Sequence, residues 1–130
     1  MANVIRKHLH ENLEKTVGFC QILRKGDWLF LAGVSTIRPD LTVGMPGDFA
    51  AQTEEVYRTI SLILEAEGMT LSNIVDELIL TTDINALMTV GLDTRKKIFG
   101  KHPFPPATGL EVQRLAVPGM MIEVKITALK

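Results

Sequence analysis

Carboxylic acids placed among apolar strand residues are the side chains of this sequence best suited to chemistry. Glu123 lies in an alternating run over 121–128, and Glu111 lies between Leu110 and Val112 in the run before it. A carboxyl group near a bound water molecule can orient the water and transfer protons, which is general acid–base catalysis. On the pattern alone, the simpler interpretation of Glu123 is a charge on the solvent side of a strand.

The cysteine and the histidines predict neither a covalent nucleophile nor a metal site. Cys20 has no histidine close to it in the sequence, which favours a small buried apolar side chain over a nucleophile. His8 and His10 would share a face of a strand, but together with His102 they form no ligand set with cysteine or acidic residues at metal-binding spacing. We therefore predict no metal site.

The composition is that of a packed soluble domain. The chain has 130 residues, of which 46% are hydrophobic and 22% charged, and its net charge is −1. This length predicts one domain over 1–130, and the charge offers no basic patch for nucleic acid. The apolar runs fall far short of the ~20 residues that cross a bilayer, and no signal peptide is readable. Because a single cysteine cannot form an internal disulfide, we expect a cytoplasmic protein.

Turn and capping residues divide the first half of the chain into two strands and a helix. The runs 19–24 and 28–32 are predicted strands, and Gly26 supplies the turn between them. A loop rich in glycine and proline follows. Asp48 is the predicted N-cap of a long helix with an apolar stripe, and Gly68 is its predicted stop.

The second half continues with a strand, a helix and two final strands. In the strand predicted over 74–82, period-2 alternation puts Ile74, Leu78 and Leu80 on one face, with Asp76 among them. Asp83 is the predicted cap of a second helix that stops at Gly100. The final strands are predicted over the two ranges 108–115 and 120–128.

The predicted order β-β-α-β-α-β-β indicates an α+β fold, in which a single layer of helices packs on one mixed β-sheet. The helices can cover only one face of that sheet. The other face is predicted to hold Glu123 and Lys125 beside the apolar Met121 and Leu129. Such a mixed face suits an oligomer interface that encloses a pocket, although a plain solvated face is favoured on the pattern alone.

Several motifs resemble those of the reactive-intermediate deaminase family, also called Rid or YjgF. The resemblance extends over nearly the whole chain and is strongest at its C-terminal end. The matching segments are Gly26-Asp-Trp-Leu-Phe-Leu-Ala-Gly33, Gln52-Thr-x-x-Val-x-x-x-Ile60, Ile74-Val through Thr82-Asp83, and the ending Pro-Ala-x-x-x-Glu-Val-x-x-Leu followed by Ile-Glu-Val.

This resemblance implies a chorismate mutase-like or YjgF-like fold and a homotrimer. In such a trimer the sheets face inward, the helices lie outside, and small-molecule clefts form between subunits. The best-studied branch of the family hydrolyses enamines and imines made by pyridoxal-phosphate enzymes, and it releases ammonia and a 2-oxo acid. It uses no cofactor, so we expect none here. No membrane association is expected, and nucleic acid is an unlikely partner at a net charge of −1.

The resemblance also implies which residues form the site. Glu123 matches the family's catalytic glutamate, which favours a site role over a solvent-exposed charge. Ala107 stands where the family has an arginine, and Phe19 stands where many members have an aromatic hydroxyl, with Cys20 beside it. The resemblance therefore implies Glu123 as the catalytic residue. The substrate-binding positions that it implies are Phe19, Cys20, Ala107, Thr108 and Gly109.

The two substituted positions change the expected chemistry. An arginine binds a carboxylate through two parallel hydrogen bonds, which alanine at position 107 cannot provide. A carboxylate would then depend on the Thr108 hydroxyl and on backbone N–H groups around Gly109. Thr108 and Gly109 are equally well explained by a strand bend or a close backbone approach. The chain thus resembles an arginine-less Rid subgroup.

Two functions from different classes remain open. The first is a cofactor-free hydrolase, an enamine or imine deaminase acting on a small metabolite other than 2-aminoacrylate. The second is a non-catalytic trimer that binds or senses a small molecule. Family members have also been labelled ribonucleases or translation inhibitors, but the charge and the few aromatic residues give this third function little support.

Overall fold

The computed structural model describes residues 3–130 and contains one mixed six-stranded sheet. The strand order is β1-β2-β3-β6-β4-β5, with β4 and β5 parallel and the other neighbours antiparallel. The strands are β1 (Val4–Lys7), β2 (Ile22–Lys25), β3 (Trp28–Leu31), β4 (Ile74–Thr81), β5 (Ala107–Glu111) and β6 (Ile122–Leu129). The predicted α+β class with helices on one mixed sheet is confirmed.

Three helices connect these strands. They are α1 (Glu11–Val17), α2 (Phe49–Ala66) and α3, which runs from Ile84–Ala86 through a π-helical turn at Leu87–Gly91 into Leu92–Phe99. A short 3₁₀ turn, Leu71–Asn73, precedes β4. Within residues 3–130, none of these helices is long and apolar enough to cross a membrane.

The predicted order lacks the two N-terminal elements, β1 and α1. All four residues of β1 are exposed, so the strand has no buried stripe that would reveal it in the sequence. His10, the residue before α1, makes no side-chain cap. Its backbone N–H instead donates to the carboxylate of Glu14, one turn into the helix. The start of α1 is therefore stabilised by a side chain inside the helix, whereas the N-cap rule considers the residue before it.

The predicted turn and capping residues are confirmed. Gly26 adopts φ 58° in the turn between β2 and β3, a left-handed conformation that favours glycine. The Asp48 side chain accepts a hydrogen bond from the N–H of Ala51 at the start of α2. Asp83 does the same for Ala86 at the start of α3. Gly68 follows the end of α2 at φ 72°.

The first predicted strand begins too early, and the β5 prediction extends too far. The structure starts β2 at Ile22, so Phe19 and Cys20 belong to the connection from α1. β5 ends at Glu111 rather than at residue 115. The residues after Glu111 form an irregular segment that leads to β6.

The predicted register of β4 is wrong, because the strand contains a β-bulge. Ile74 pairs with Ala128 and Asp76 pairs with Thr127, so Val75 is an extra residue between two adjacent pairs. After this bulge, the residues that face the core are the odd-numbered ones, whereas before it the core-facing residue is even-numbered. Ile74 is buried and so are Glu77, Ile79 and Thr81, whereas Leu78 and Leu80 lie on the other face of the sheet.

One face of the sheet packs against α2 and α3 and forms the core. From β6, Ile122, Val124, Ile126 and Ala128 are all buried, as predicted by their alternation with polar residues. The apolar stripe of α2 packs against this face through buried side chains that include Val56, Ile60 and Leu64. The core therefore lies between the sheet and a single layer of helices.

A buried ion pair lies within this core. Arg95 of α3 donates to both oxygens of Glu77, and the Tyr57 hydroxyl donates to the same carboxylate. The Arg95 guanidinium also lies 4.6 Å from the ring centroid of Phe99. Burial together with the neighbouring Glu77 carboxylate raises the pKa of Tyr57 well above its usual value. These contacts satisfy charges that the bulge in β4 places inside the core.

The opposite face of the sheet, which we call the open face, has no helix over it. Its polar residues in β6 are Glu123, Lys125 and Thr127. The β-ladder registers place an apolar group beside them, consisting of Leu23, Trp28, Phe30, Leu78, Leu80, Leu110 and Leu129. Trp28 and Phe30 stack with ring centroids 6.1 Å apart, and both are more than 40% exposed. The predicted mixture of polar and apolar residues is present on this face, but the prediction for Met121 is wrong, because this residue precedes β6 and packs against the core.

Candidate functional site

A cavity of about 310 Å³ lies at the start of β6, beside Glu123 on the face of the sheet opposite the core. We call it the Glu123 cavity. Four segments enclose it: α1 with the residues on either side of it, the loop following β3, the segment before β6, and β6 itself. Its sixteen lining residues are Leu9, His10, Leu13, Glu14, Val17, Phe19, Gln21, Gly33, Val34, Ser35, Ile37, Leu41, Ala116, Val117, Met120 and Glu123.

Glu123 is the one lining carboxylate that has no hydrogen-bond partner within residues 3–130. Its side chain is half-buried. This burial raises the pKa of the Glu123 carboxyl above its usual range, and Lys125 on the same strand lowers it by a smaller amount. A raised pKa brings a carboxyl group closer to the range in which it can both accept and return a proton.

Gly33 fixes the position of the Glu123 side chain. A Cβ atom on Gly33 would lie 2.6 Å from the Glu123 carboxyl carbon, which is closer than real contacts allow. The backbone around Gly33 is held beside β6 by the next residue, Val34, which exchanges two hydrogen bonds with the backbone of Val124 at 2.8 and 3.0 Å. The carboxyl group therefore packs directly against the backbone at Gly33, as a glycine at a site of close approach permits.

The second carboxylate of the cavity, Glu14, is occupied by structural contacts. It is 1% exposed, and it accepts hydrogen bonds from the backbone N–H groups of Leu9, His10 and Gln21 and from the ring of His8. Burial acts to raise the pKa of Glu14, but these hydrogen bonds outweigh it and leave the pKa below its usual value. Glu14 thus fastens α1 to the start of β2 and forms one wall of the cavity.

The loop after β3 contributes another wall and is fastened to α2. The Arg38 guanidinium binds both oxygens of Glu55 at 2.6 and 2.8 Å. It also fills the space beside Gly44, where a Cβ atom would overlap the guanidinium group. This bidentate pair holds Ile37 and Leu41 at the cavity.

The structure brings together only some of the predicted site residues. Phe19 and Glu123 both line the cavity. Cys20 is partly buried and free, but it is not among the lining residues. No set of three or more histidine, cysteine, aspartate or glutamate side chains in residues 3–130 is arranged to hold a metal ion.

The predicted β5 residues lie away from the cavity within one chain. Ala107, Thr108 and Gly109 are all exposed on the edge strand of the sheet. Ala107 and Gly109 are in register with Glu77 and Ile79, on the face opposite Glu123. A Cβ atom on Gly109 would lie 3.3 Å from Leu87 of α3, which is the close approach that the sequence left open. Only a second chain can therefore bring this strand to the Glu123 cavity.

A shallower depression adjoins Glu123 on its other side. Arg114, Ala116 and Leu80 line it, and Glu123 and Ala116 belong to both depressions. Arg114 is exposed and forms no ion pair within residues 3–130. Glu123 thus stands between an apolar cavity and a surface that has a free cation.

Sequence reasoning missed Gly33, Ser35 and the α1 residues as parts of the site. Gly33 follows a predicted strand directly, and a glycine at such a position signals a close backbone approach. Ser35 accepts a hydrogen bond from the N–H of Ile37 through its hydroxyl oxygen, so its proton is free to face the cavity. The α1 residues had no signal, because the helix itself was not predicted.

Comparison with known proteins places the chain in a family. The family model described as Endoribonuclease L-PSP matches residues 10–130. The RutC family protein PH0854 of Pyrococcus horikoshii is 31% identical over 121 residues, which is 92% of this chain and 94% of that protein. The 2-iminobutanoate/2-iminopropanoate deaminase of Escherichia coli is 28% identical over 123 residues, with coverage of 92% and 94%.

A solved structure agrees with these sequence matches. Rv2704 of Mycobacterium tuberculosis, described as a member of the highly conserved YjgF/YER057c/UK114 family, superposes with a TM-score of 0.82 at 29% identity. The match covers 98% of this chain and all of that one. The chain we describe therefore belongs to the YjgF/Rid family, the family of the Endoribonuclease L-PSP model.

Proposed function

We propose that this protein hydrolyses imines or enamines without a cofactor and that Glu123 is its acid–base residue. The observation that supports the proposal most directly is the Glu123 carboxyl, which has a raised pKa, no hydrogen-bond partner in residues 3–130 and a fixed position against Gly33. The deaminase name of the Escherichia coli relative points to the same reaction.

The reaction requires proton transfers that one carboxyl group can perform. The Glu123 carboxyl first gives its proton to the imine nitrogen, and water then adds to the imine carbon while the Glu123 carboxylate accepts a water proton. The resulting carbinolamine has an oxygen and a nitrogen on one carbon. Glu123 returns the proton to the nitrogen, the carbon–nitrogen bond breaks and ammonia leaves. The carbonyl forms as the hydroxyl proton passes back to the Glu123 carboxylate, which restores the starting carboxyl group. An enamine enters the same sequence after a proton is added to its β-carbon. Each proton moves over hydrogen-bond distance, as general acid–base catalysis requires.

The cleft in this proposal extends over two chains of a homotrimer. Ala107, Thr108 and Gly109 lie on an exposed edge strand, and in one chain they do not reach Glu123. A neighbouring chain that presents this strand at the Glu123 cavity would complete the predicted substrate-binding set with Phe19. Cys20 would then contribute through its backbone rather than through its thiol, because its side chain does not line the cavity.

The test is ammonia release from enzymatically generated 2-iminobutyrate and 2-aminoacrylate, and from the imines of leucine and phenylalanine. We expect Glu123→Gln to lower kcat by about 100-fold or more, the usual size of an acid–base contribution. The control Glu65→Gln removes an exposed carboxylate on α2 and should leave the rate unchanged. Equal turnover by the wild-type protein and Glu123→Gln would exclude the proposed role.

The variant Ala107→Arg tests how the substrate carboxylate is held. If the wild-type protein turns over 2-iminobutyrate poorly and Ala107→Arg gains activity, the scaffold is competent and its own substrate does not need an arginine there. If both are active to the same degree, another group holds the carboxylate. Activity lost on introduction of the arginine would show that the native substrate occupies this space.

The alternative function is a trimer that binds a small molecule without converting it. The observation that favours it is the pair of substitutions Ala107 and Phe19, which remove a guanidinium and a hydroxyl from predicted substrate-binding positions. The test uses stable analogues of the imine substrates named above. Saturable binding of such analogues, with no ammonia released from any substrate, would establish this alternative in place of the hydrolase.

A further inference from the structure

The Glu123 cavity is strongly apolar beyond its one free carboxyl group. Ten of its sixteen lining residues are apolar, and the Lys and Arg side chains of residues 3–130 are absent from its lining. Leu13 and Val17 of α1 line one side, and Ile37 and Leu41 line the other. A second anionic group placed inside would therefore face Glu123 with no lining cation to offset the repulsion.

Two polar side chains of the cavity, Glu14 and Gln21, already form hydrogen bonds within the protein. The Glu14 carboxylate accepts four hydrogen bonds, and the Gln21 amide donates to the carbonyl oxygens of Ala32 and Gly33. In residues 3–130, the polar side-chain groups left for a ligand are the Glu123 carboxyl, the Ser35 hydroxyl proton, the ring of His10 and the amide oxygen of Gln21. The interior is thus built to hold an uncharged apolar group with the reacting atoms at the Glu123 end.

The volume sets the size of that group. The cavity measures about 310 Å³. An apolar protein cavity of roughly 150 Å³ accepts a benzene molecule. There is therefore space for a phenyl-sized side chain together with the reacting C=N unit, whereas a methyl or ethyl side chain would leave most of the cavity empty.

We propose that the Glu123 cavity selects imines or enamines with a large apolar side chain, of isobutyl to benzyl size, and that Leu13 and Val17 of α1 determine this selectivity. The inference rests on the proposed function for its reacting group, whereas the size and apolar character of the pocket follow from the cavity lining. It identifies the substrate class as the imine of a branched-chain or aromatic amine or amino acid.

The kinetic test compares kcat/KM for the imines of phenylalanine and leucine with that for 2-iminobutyrate. We expect the larger substrates to be favoured by about tenfold or more, the gain that follows from burying a phenyl-sized group. Val17→Trp places a bulky ring at the exposed rim of the cavity and should remove this preference for the larger substrates. The matched control Leu62→Trp alters an exposed leucine on α2, outside the cavity, and should retain the preference.

A binding test separates this inference from the proposed reaction. Titration with phenylacetamide and acetamide, followed by ligand-observed NMR, needs no turnover. We expect the wild-type protein to bind phenylacetamide more tightly than acetamide. Val17→Trp and Leu13→Phe should lose this preference and Leu62→Trp should keep it. This result would support the pocket even if no imine is hydrolysed. Equal binding of both amides, or a preference that Val17→Trp and Leu13→Phe leave intact, would overturn the inference while leaving the hydrolase proposal to its own test.

Discussion

At the scale of single residues, the position of Glu123 combines two conditions that acid–base chemistry needs. Partial burial raises the pKa of its carboxyl, and the glycine backbone at Gly33 fixes its place. Neither condition is visible in the alternation of β6, which reports only that Glu123 lies opposite the core. The sequence therefore predicts on which face of the sheet Glu123 lies. The burial of its carboxyl group and its packing against Gly33 are known only from the structure.

The raised pKa predicts how Glu123 affects stability with pH. Because the folded-state pKa lies above the unfolded value of about 4.3, its contribution to folding is greatest below that value and is lost as the pH rises through the folded pKa. We expect Glu123→Gln to be at least as stable as the wild-type protein at pH 7. Thermal unfolding over the acid range should show this advantage shrinking as the pH falls. A variant that is less stable at pH 7 would mean that the charged carboxylate is favoured by contacts in the assembled protein.

The buried Arg95–Glu77 pair leads to a second prediction at this scale. Arg95→Met leaves the Glu77 carboxylate in the core with only the Tyr57 hydroxyl as a donor, and we expect a loss of about 3–5 kcal/mol in the free energy of unfolding. The double variant Glu77→Met with Arg95→Met removes both charges and should recover much of this loss. Chemical denaturation at a fixed protein concentration measures both. A single-variant loss below about 1 kcal/mol would contradict the prediction.

At the scale of the elements, the accuracy of the sequence analysis follows the strength of local signals. Asp48, Asp83, Gly26 and Gly68 act through their own backbone geometry, and each is confirmed. The start of α1 depends instead on Glu14 inside the helix, which accepts hydrogen bonds from the N–H groups of His10 and Gln21. The N-cap rule considers the residue before a helix, so it does not detect a carboxylate in this position.

The bulge in β4 explains the remaining error and can be tested by deletion. Val75 is the extra residue, so its removal joins Ile74 to Asp76 without changing the face of any later side chain. We expect a Val75 deletion to fold, with a modest loss of stability. Deleting Leu78 instead should prevent folding, because residues between the deletion and the bulge would exchange faces and Glu77 would leave Arg95. Circular dichroism and solubility distinguish the two. Equal behaviour of both deletions would contradict this register.

At the scale of the whole molecule, the open face is the surface through which we expect the chain to assemble. Trp28, Phe30 and Leu110 are each at least 40% exposed there, beside the half-buried Glu123. A group of large exposed apolar side chains on one face of a single chain is typical of a protein–protein contact. The predicted homotrimer would cover it and would bring the β5 edge of one chain to the cavity of another.

A charge on the open face should therefore separate the subunits and abolish activity together. We expect Phe30→Lys to lower the mass measured by light scattering to that of a single chain, with a loss of ammonia release. Leu62→Lys introduces the same charge on the exposed side of α2 and should change neither the mass nor the activity. A monomeric wild-type protein that is fully active would contradict both the assembly and the shared cleft.

The stacked pair of Trp28 and Phe30 has a further use, since the chain contains a single tryptophan. Its indole is 44% exposed on the open face, whereas the one tyrosine is buried on the helical side. All tryptophan emission thus comes from the surface that assembly would cover. Dilution of the unlabelled protein should shift this emission to longer wavelengths at the concentration where subunits part, so the protein contains its own optical reporter of association.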